Sequence, residues 1–441
     1  MGYYDRRWDC RDLYPAFFAN YFSLDFMIAE IISIGNELLT GLVVNTNAAK
    51  IGKALTHIGC KVQWISSVGD DKTEIVSALE KASSRASIVI VTGGLGPTED
   101  DVTVEAVLPV FGCETEFHPE IMEKLEKWFR KQGRKLPPCN RKQAFLPKGA
   151  KLIPNPVGSA SGFIMKKNNT EFFFLPGVPS EVDAMMKAHV IPRLLSRKNR
   201  FSVHEVIFRA FGIPESLLGQ KLAGFSKLFP EIQLGFFPDA SGVLVRLLCF
   251  GSSHAEISAR FSEAKAFVLE KVGHWIYGTG DETLEEVVGK LLAQKRLTIG
   301  IAESCTGGLI CDKLTNVPGS SAYVKLDLVA YSNQAKMELL GVPEAILVKH
   351  GAVSVETARA MAEGVRRIGK TDIGLSTTGI SGPSGGTREK PVGLVYIGYA
   401  DAKQTVVKRF LFSGDRIWHK TRSSYAGLDL VRRMVLGIPE E

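Results

Sequence analysis

The chain has 441 residues, 45% of them hydrophobic and 23% charged, enough for two or three domains with easily built cores. The net charge of +7 is modest and scattered; its densest stretch, Arg193 to Arg200, reads as a solvated helix end with a linker rather than a nucleic-acid surface. Seven dispersed cysteines without a CxxC pair argue against a disulfide framework or a zinc site and fit a reducing cytoplasm, and no apolar run reaches the ~18 residues of a membrane span.

Residues 1–26 are aromatic but interrupted by Asp5, Arg6, Arg7, Asp9, Arg11 and Asp12, unlike a signal peptide. They are expected to be a poorly ordered extension, or an artefact of start-site choice, before Met27. From Ile28 the chain alternates strand and helix. Strands are expected at Ile28–Ile34, Lys61–Ser66 and Ser87–Thr92, with helices at about 45–58, 72–84 and up to 110. Such alternation implies a parallel sheet covered on both faces, with ligands at the carboxyl ends of the strands. A helix over Pro119–Lys131, a hairpin around Asn168-Asn169 and a helix opened by Pro179 complete a domain spanning 27–198.

Residues 199–280 read as a small α+β unit. It has a strand at Val203–Phe211, a helix over Pro214–Phe229, a hairpin of Gln233–Phe237 with Gly242–Phe250, and a helix over His254–Val272. The α/β rhythm resumes over 281–441. There a buried strand at Leu297–Ala302 enters a turn of small residues and then a helix. A strand at Leu328–Tyr331 ends at Ser332-Asn333, either of which can cap a helix. Ser354 caps another helix. Strands at 372–377, 392–399 and 405–412 and a helix over 416–435 follow. The fold class expected is therefore α/β: two α/β domains with mostly parallel sheets, joined by a small α+β domain.

Three clusters carry chemistry. Ser321, Tyr331 and Lys336 lie within sixteen residues, on a turn, a strand end and the first turn of a helix. A cation there opposes the helix dipole, which favours the neutral amine that a general base requires. Ser, Lys and Tyr then form an amide-hydrolysis set; alternatively Lys336 points to water and Ser321 caps a turn. Second, Ser304 and Thr306 with Gly307-Gly308 can cradle a phosphate, or can simply make a tight strand–helix connection. The loop from Thr378 and Gly379 through Gly382, Gly385 and Gly386 to Thr387 allows close backbone approach to a ligand. Third, Gly93-Gly94-Leu95-Gly96 leads through Thr98 to Glu99, Asp100 and Asp101, expected in a helix's first turn. Those acids complement the dipole, or bind a diphosphate through a divalent metal, with Glu37 joining them.

Together EIISIGNELLTG, VTGGLGPTEDDVT, FLPGVPSEV, AESCTGGLI, VPGSSAY, VAYSNQAK, HGAVS and TGISGPSGGTREKPVG resemble the CinA family from Met27 onward. The resemblance implies an N-terminal MoaB/MogA-like, molybdopterin-binding-type domain with metal-dependent ADP-ribose pyrophosphatase activity. The residues expected to serve it, from their own chemistry, are Glu37, Gly93, Gly94, Gly96 and Thr98 for the diphosphate and Asp100 and Asp101 for the metal. The C-terminal domain resembles nicotinamide mononucleotide deamidases, which release ammonia and nicotinic acid mononucleotide without a cofactor. The resemblance puts the catalytic serine at Ser321, the tyrosine at Tyr331 and the lysine at Lys336. Substrate falls to Ser304, Thr306, Gly307, Gly308, the Thr378–Thr387 loop and Arg416. It further implies a homodimer acting on small nucleotides; the sequence itself, without a basic stripe interleaved with aromatics or a membrane-length apolar run, leads us to expect no nucleic-acid or membrane partner. The rival is a non-enzymatic pterin-binding or competence-accessory protein. One departure stands out: Lys325-Leu326-Asp327 replaces a Gly pair common in the family, placing side chains that narrow the pocket or change its contacts.

Overall fold

The computed structural model describes residues 27–196, 202–251 and 254–439, so the expected extension and residues 197–200 of the basic stretch lie outside the described residues. The chain divides into two compact units, Met1–His204 with Cys249–Ser258 and Glu205–Leu248 with Ala259–Glu441.

The first unit contains strands β1 (Met27–Ile34), β2 (Cys60–Val68), β3 (Ile88–Thr92), β4 (Thr115–Phe117), β5 (Phe145–Pro147), β6 (Lys151–Ile153), β7 (Gly162–Lys167) and β8 (Thr170–Leu175). The main sheet runs β2-β1-β3-β8-β7-β6, parallel from β2 to β8 and antiparallel beyond. Continuous apolar runs such as IVIVT in β3 form it because both faces are covered. Alternate residues serve opposite cores. Val89, Val91, Phe172 and Phe174 meet helices Lys72–Arg85, Thr103–Phe111 and Pro119–Lys131. Ile88, Ile90 and Phe173 meet helices Thr46–His57 and Pro179–Met185. Asn45 and Asp71 cap the first helix on each side.

The small α+β segment is a sheet of order β10-β11-β9-β12, made of β9 (Ser202–Ala210), β10 (Gln233–Asp239), β11 (Gly242–Gly251) and β12 (Ile276–Thr279). The helix expected over Pro214–Phe229 is two, Glu215–Lys221 and Phe225–Leu228, because Gly224 turns left-handed (φ 85°) between them. Strand β12 follows helix His254–Val272 and had no clear alternation in the sequence to announce it.

The C-terminal sheet orders β14-β13-β15-β16-β17, from β13 (Ile299–Glu303), β14 (Val324–Val329), β15 (Ile373–Gly379), β16 (Leu394–Ala400) and β17 (Thr405–Leu411). β13 pairs in parallel with β14 and β15, and the last two strands are antiparallel. Ile299, Ile301, Leu375 and Ile397 pack under helices Leu284–Lys295, Leu309–Thr315 and Arg416–Leu436. Ala302, Leu326 and Leu328 face helices Asn333–Leu340 and Val355–Gly369. Strand β14 begins four residues earlier than the expected Leu328, and that shift decides the site. Among the described residues no helix is long and apolar enough to cross a membrane.

Candidate functional site

The carboxyl end of β13 is built around Glu303. Its side chain is fully buried (0% exposed), and it accepts hydrogen bonds from the amides of Gly308 (2.9 Å), Ile310 (3.0 Å) and Cys311 (2.9 Å). The start of helix Leu309–Thr315 is therefore capped by protein, and those amides are not the free anion site expected from the sequence. Gly307 and Gly308 both adopt positive φ (63° and 91°), which folds the turn tightly enough for Glu303 to reach.

The residue after Glu303 is Ser304. Its amide donates to Thr377 O (3.0 Å) on the neighbouring strand, which fixes the hydroxyl at the strand end. Lys336 reaches it from helix Asn333–Leu340, whose N-cap is Ser332. Lys336 is 1% exposed, and its Nζ lies 3.2 Å from Ser304 Oγ, 2.8 Å from Ala330 O and 3.4 Å from Tyr331 O. Burial pushes its pKa down from the usual lysine value. Desolvation, rather than the helix dipole invoked from the sequence, is the main cause.

Ser321 does not join this pair. It sits in the exposed turn before β14, and its carbonyl accepts from Lys325 Nζ (2.7 Å). Because β13 and β14 run parallel, with Ile299 opposite Val324 and Glu303 opposite Val329, Ser321 precedes the amino end of β14 and Lys336 follows its carboxyl end. At about 3.3 Å per residue, the strand alone separates them by about 16 Å. The expected Ser321–Lys336 pairing is therefore corrected to Ser304–Lys336. Short sequence separation misled because the intervening strand is fully extended.

Tyr331 stays at the site but at its rim, 62% exposed, its hydroxyl accepting from Arg416 Nη2 (3.1 Å). Arg416 also donates to Gly382 O (2.8 Å), tying the Thr378–Thr387 loop to Tyr331. Within that loop Gly382 and Gly385 have positive φ, and Gly379 and Gly386 leave no room for a Cβ beside β16 and Val392. The Thr387 hydroxyl accepts from the Lys390 amide. The Thr306 and Thr378 hydroxyls are not available to a phosphate as expected. Both are buried, one against Thr377 Oγ1 (2.7 Å), the other on Ala352 O (2.7 Å). Lys420, missed from the sequence, lies beside the turn: a Cβ on Gly307 would be 3.5 Å from its Nζ. The available signal was its spacing, one helical turn after Arg416 and so on the same face.

In the first unit, Gly93 lies so close to β1 that a Cβ would meet Ile34 O at 2.2 Å, and Gly94 is closed over Thr103. Helix Thr103–Phe111 starts after the acids, so Glu99, Asp100 and Asp101 lie in the preceding turn rather than in its first turn. The Asp101 carboxylate folds back onto Gly96 and onto the amide and hydroxyl of Thr98. Asp100 is exposed, its carboxyl held below the usual range chiefly by Thr98. Among the described residues no group of three or more His, Cys, Asp or Glu converges as a metal set; of the two acids expected to bind a metal with a diphosphate, Asp101 is engaged within its own turn and Asp100 is exposed. Glu37 belongs to another group of residues. It lines a cleft of about 90 Å³ at the ends of β1 and β3 with Asn45, Thr46, Asn47, Thr92 and Gly177.

These features define an α/β protein with a hydroxyl–amine pair at one strand end and a small cleft holding Glu37 and Asn47 at another. Residues 30–196 match the probable molybdopterin binding domain, 206–278 the damage-inducible protein CinA KH domain, and 281–435 the CinA C-terminal domain. The chain belongs to the CinA family. It is 39% identical over 410 residues to a putative competence-damage inducible protein of Caldicellulosiruptor bescii, covering 93% of this chain and 100% of that one. It is 42% identical over 406 residues to a CinA-like protein of Syntrophus aciditrophicus, covering 91% and 97%. A crystal structure titled as the protein CinA with unknown function from Thermoplasma acidophilum aligns with 38% of this chain and 98% of its own, at 38% identity and a TM-score of 0.36.

Proposed function

We propose that the C-terminal domain hydrolyses the carboxamide of nicotinamide mononucleotide, with Ser304 as nucleophile and Lys336 as base. The observation that carries this reading is the 3.2 Å approach of Ser304 Oγ to a buried lysine amine. A neutral amine takes the hydroxyl proton as Oγ adds to the carboxamide carbon. The amides of Cys305, Thr306 and Gly307, which take no backbone acceptor, follow the nucleophile directly and are the donors at hand for the oxyanion. Lys336 returns its proton to the departing nitrogen, ammonia leaves and an ester to Ser304 remains. Water, deprotonated by Lys336, cleaves that ester to the carboxylate. Arg416 and Lys420 offer positive charge to the substrate phosphate, and Tyr331 positions Arg416. The test is ammonia release from nicotinamide mononucleotide by wild type, Ser304→Ala and Ser321→Ala. Loss in the first variant alone supports the reading, and an active Ser304→Ala removes it.

For the first unit we carry ADP-ribose binding forward only at the Glu37 cleft. There Asn47 Oδ1 is buried and without a partner, so a ligand donor would satisfy it. No metal step is assigned. Metal-dependent AMP release from ADP-ribose, abolished by Glu37→Gln, is the measurement that would restore the hydrolase. A nucleic-acid role under the rival competence-accessory reading is disfavoured because residues 206–278 contain no Gly-x-x-Gly, the loop with which KH domains clamp a nucleotide backbone.

A further inference from the structure

The strand beside the nucleophile carries a carboxyl group that the proposed chemistry does not use. Asp327 lies on β14 opposite Ile301, within the electrostatic reach of Glu303 and Cys311. Its Oδ1 is buried and has no hydrogen-bond partner. From β13 it meets Glu303, whose oxygens already accept three amides of the turn and helix that follow Ser304. From helix Leu309–Thr315 it meets the Cys311 thiol, with Asp312 close behind. The cations nearby are turned elsewhere: Lys325 to Ser321 O in the turn before β14, and Lys313 over the Tyr425 ring.

The Glu303 oxygens are aimed at three N–H donors, so a negative charge arriving at Asp327 opposes their electron density across a desolvated gap. Either Glu303 slackens its hold on the turn or β14 shifts. Both displace Ser304, which is bonded to Glu303 in the chain and meets Lys336 at the end of β14. We propose that Asp327 is a positioning residue for Ser304: neutral, it keeps the nucleophile against Lys336, and its ionisation sets the alkaline limit of the reaction. This inference rests on the amidase reading above. Burial first, and Glu303 second, push the Asp327 carboxyl up to about 7. The native protein then retains a proton that the unfolded chain loses near pH 4. Stability contributed at Asp327 therefore falls as pH rises from about 4 to about 7 and stays at its lower value above.

The experiment uses the full chain as wild type, Asp327→Asn and Asp327→Gly. Ammonia release from nicotinamide mononucleotide and the melting temperature are each followed from pH 5 to 9. The expected result is a wild-type kcat that declines several-fold above neutrality while both variants keep rising. Alongside it, the variants' melting-temperature advantage should widen from pH 5 to pH 7.5 and then level. The same alkaline decline in variant and wild type overturns the inference. If no form releases ammonia, the substrate assignment fails separately. A melting-temperature difference independent of pH would then overturn the role of Asp327 on its own.

Discussion

Two strand-end turns of this protein use the same residue types and do different things. Gly93–Asp101 and Glu303–Gly308 each follow a buried parallel strand, and each places glycines and a carboxylate before a helix. In the first, Asp101 folds back on Thr98, and Lys142 donates to the carbonyls of Thr98 and Asp101, so the turn closes on itself. In the second, Glu303 takes the helix amides, which leaves the next residue, Ser304, to face a lysine from another element. A glycine-rich turn supplies a stage; the reactive character comes from a desolvated ionisable group delivered by a distant helix.

The comparison breaks most sharply at the nucleophile. Ser304→Ala should lower ammonia release from nicotinamide mononucleotide by about 1,000-fold or more, as removal of a covalent nucleophile does, whereas Ser321→Ala should stay within about twofold. Next in size, Lys336→Met should cost about 100- to 10,000-fold in kcat. The wild-type rate should rise with pH on the acid side as the depressed lysine loses its proton, and that limb should vanish in the variant. The linkage sign agrees. A lysine lowered by burial makes the unfolded chain bind more protons, so its contribution to stability grows as pH climbs from the lowered native value toward 10.5.

Glu303→Gln replaces one accepting oxygen with an amide donor, breaks part of the three-amide cap and should destabilise the C-terminal domain by about 1–3 kcal/mol, read by urea unfolding. Arg416→Ala should raise KM for the nucleotide about tenfold while leaving kcat within a few-fold, because it touches the rim rather than the reacting carbon. The smallest effect belongs to the first turn. Asp101→Asn should cost about 1 kcal/mol of stability in thermal melts, and magnesium should not shift the wild-type melt, because that carboxylate serves the turn.

The sequence by itself settled much of the architecture. Apolar runs bounded by glycine placed β1, β3, β13 and β15, because strands buried on both faces need no other signal. The cap at Ser354 followed from a side chain that accepts its own helix amide, and of the two candidates Ser332 and Asn333 the structure uses Ser332. The short strands β4, β5, β6 and β12 were silent, since three or four residues carry too little alternation to read. The family and the individual residues Ser304, Tyr331, Lys336 and Arg416 were also legible. Which serine meets the lysine was not. That depended on β14 starting at Val324, which carries the chain from Ser321 at one end of the sheet to Lys336 at the other, and on parallel pairing with β13, which brings Ser304 to that same end. Register and strand direction are properties of the assembled sheet. Local composition cannot encode them, and burial of Lys336 exists only once that sheet and its helices have closed around it.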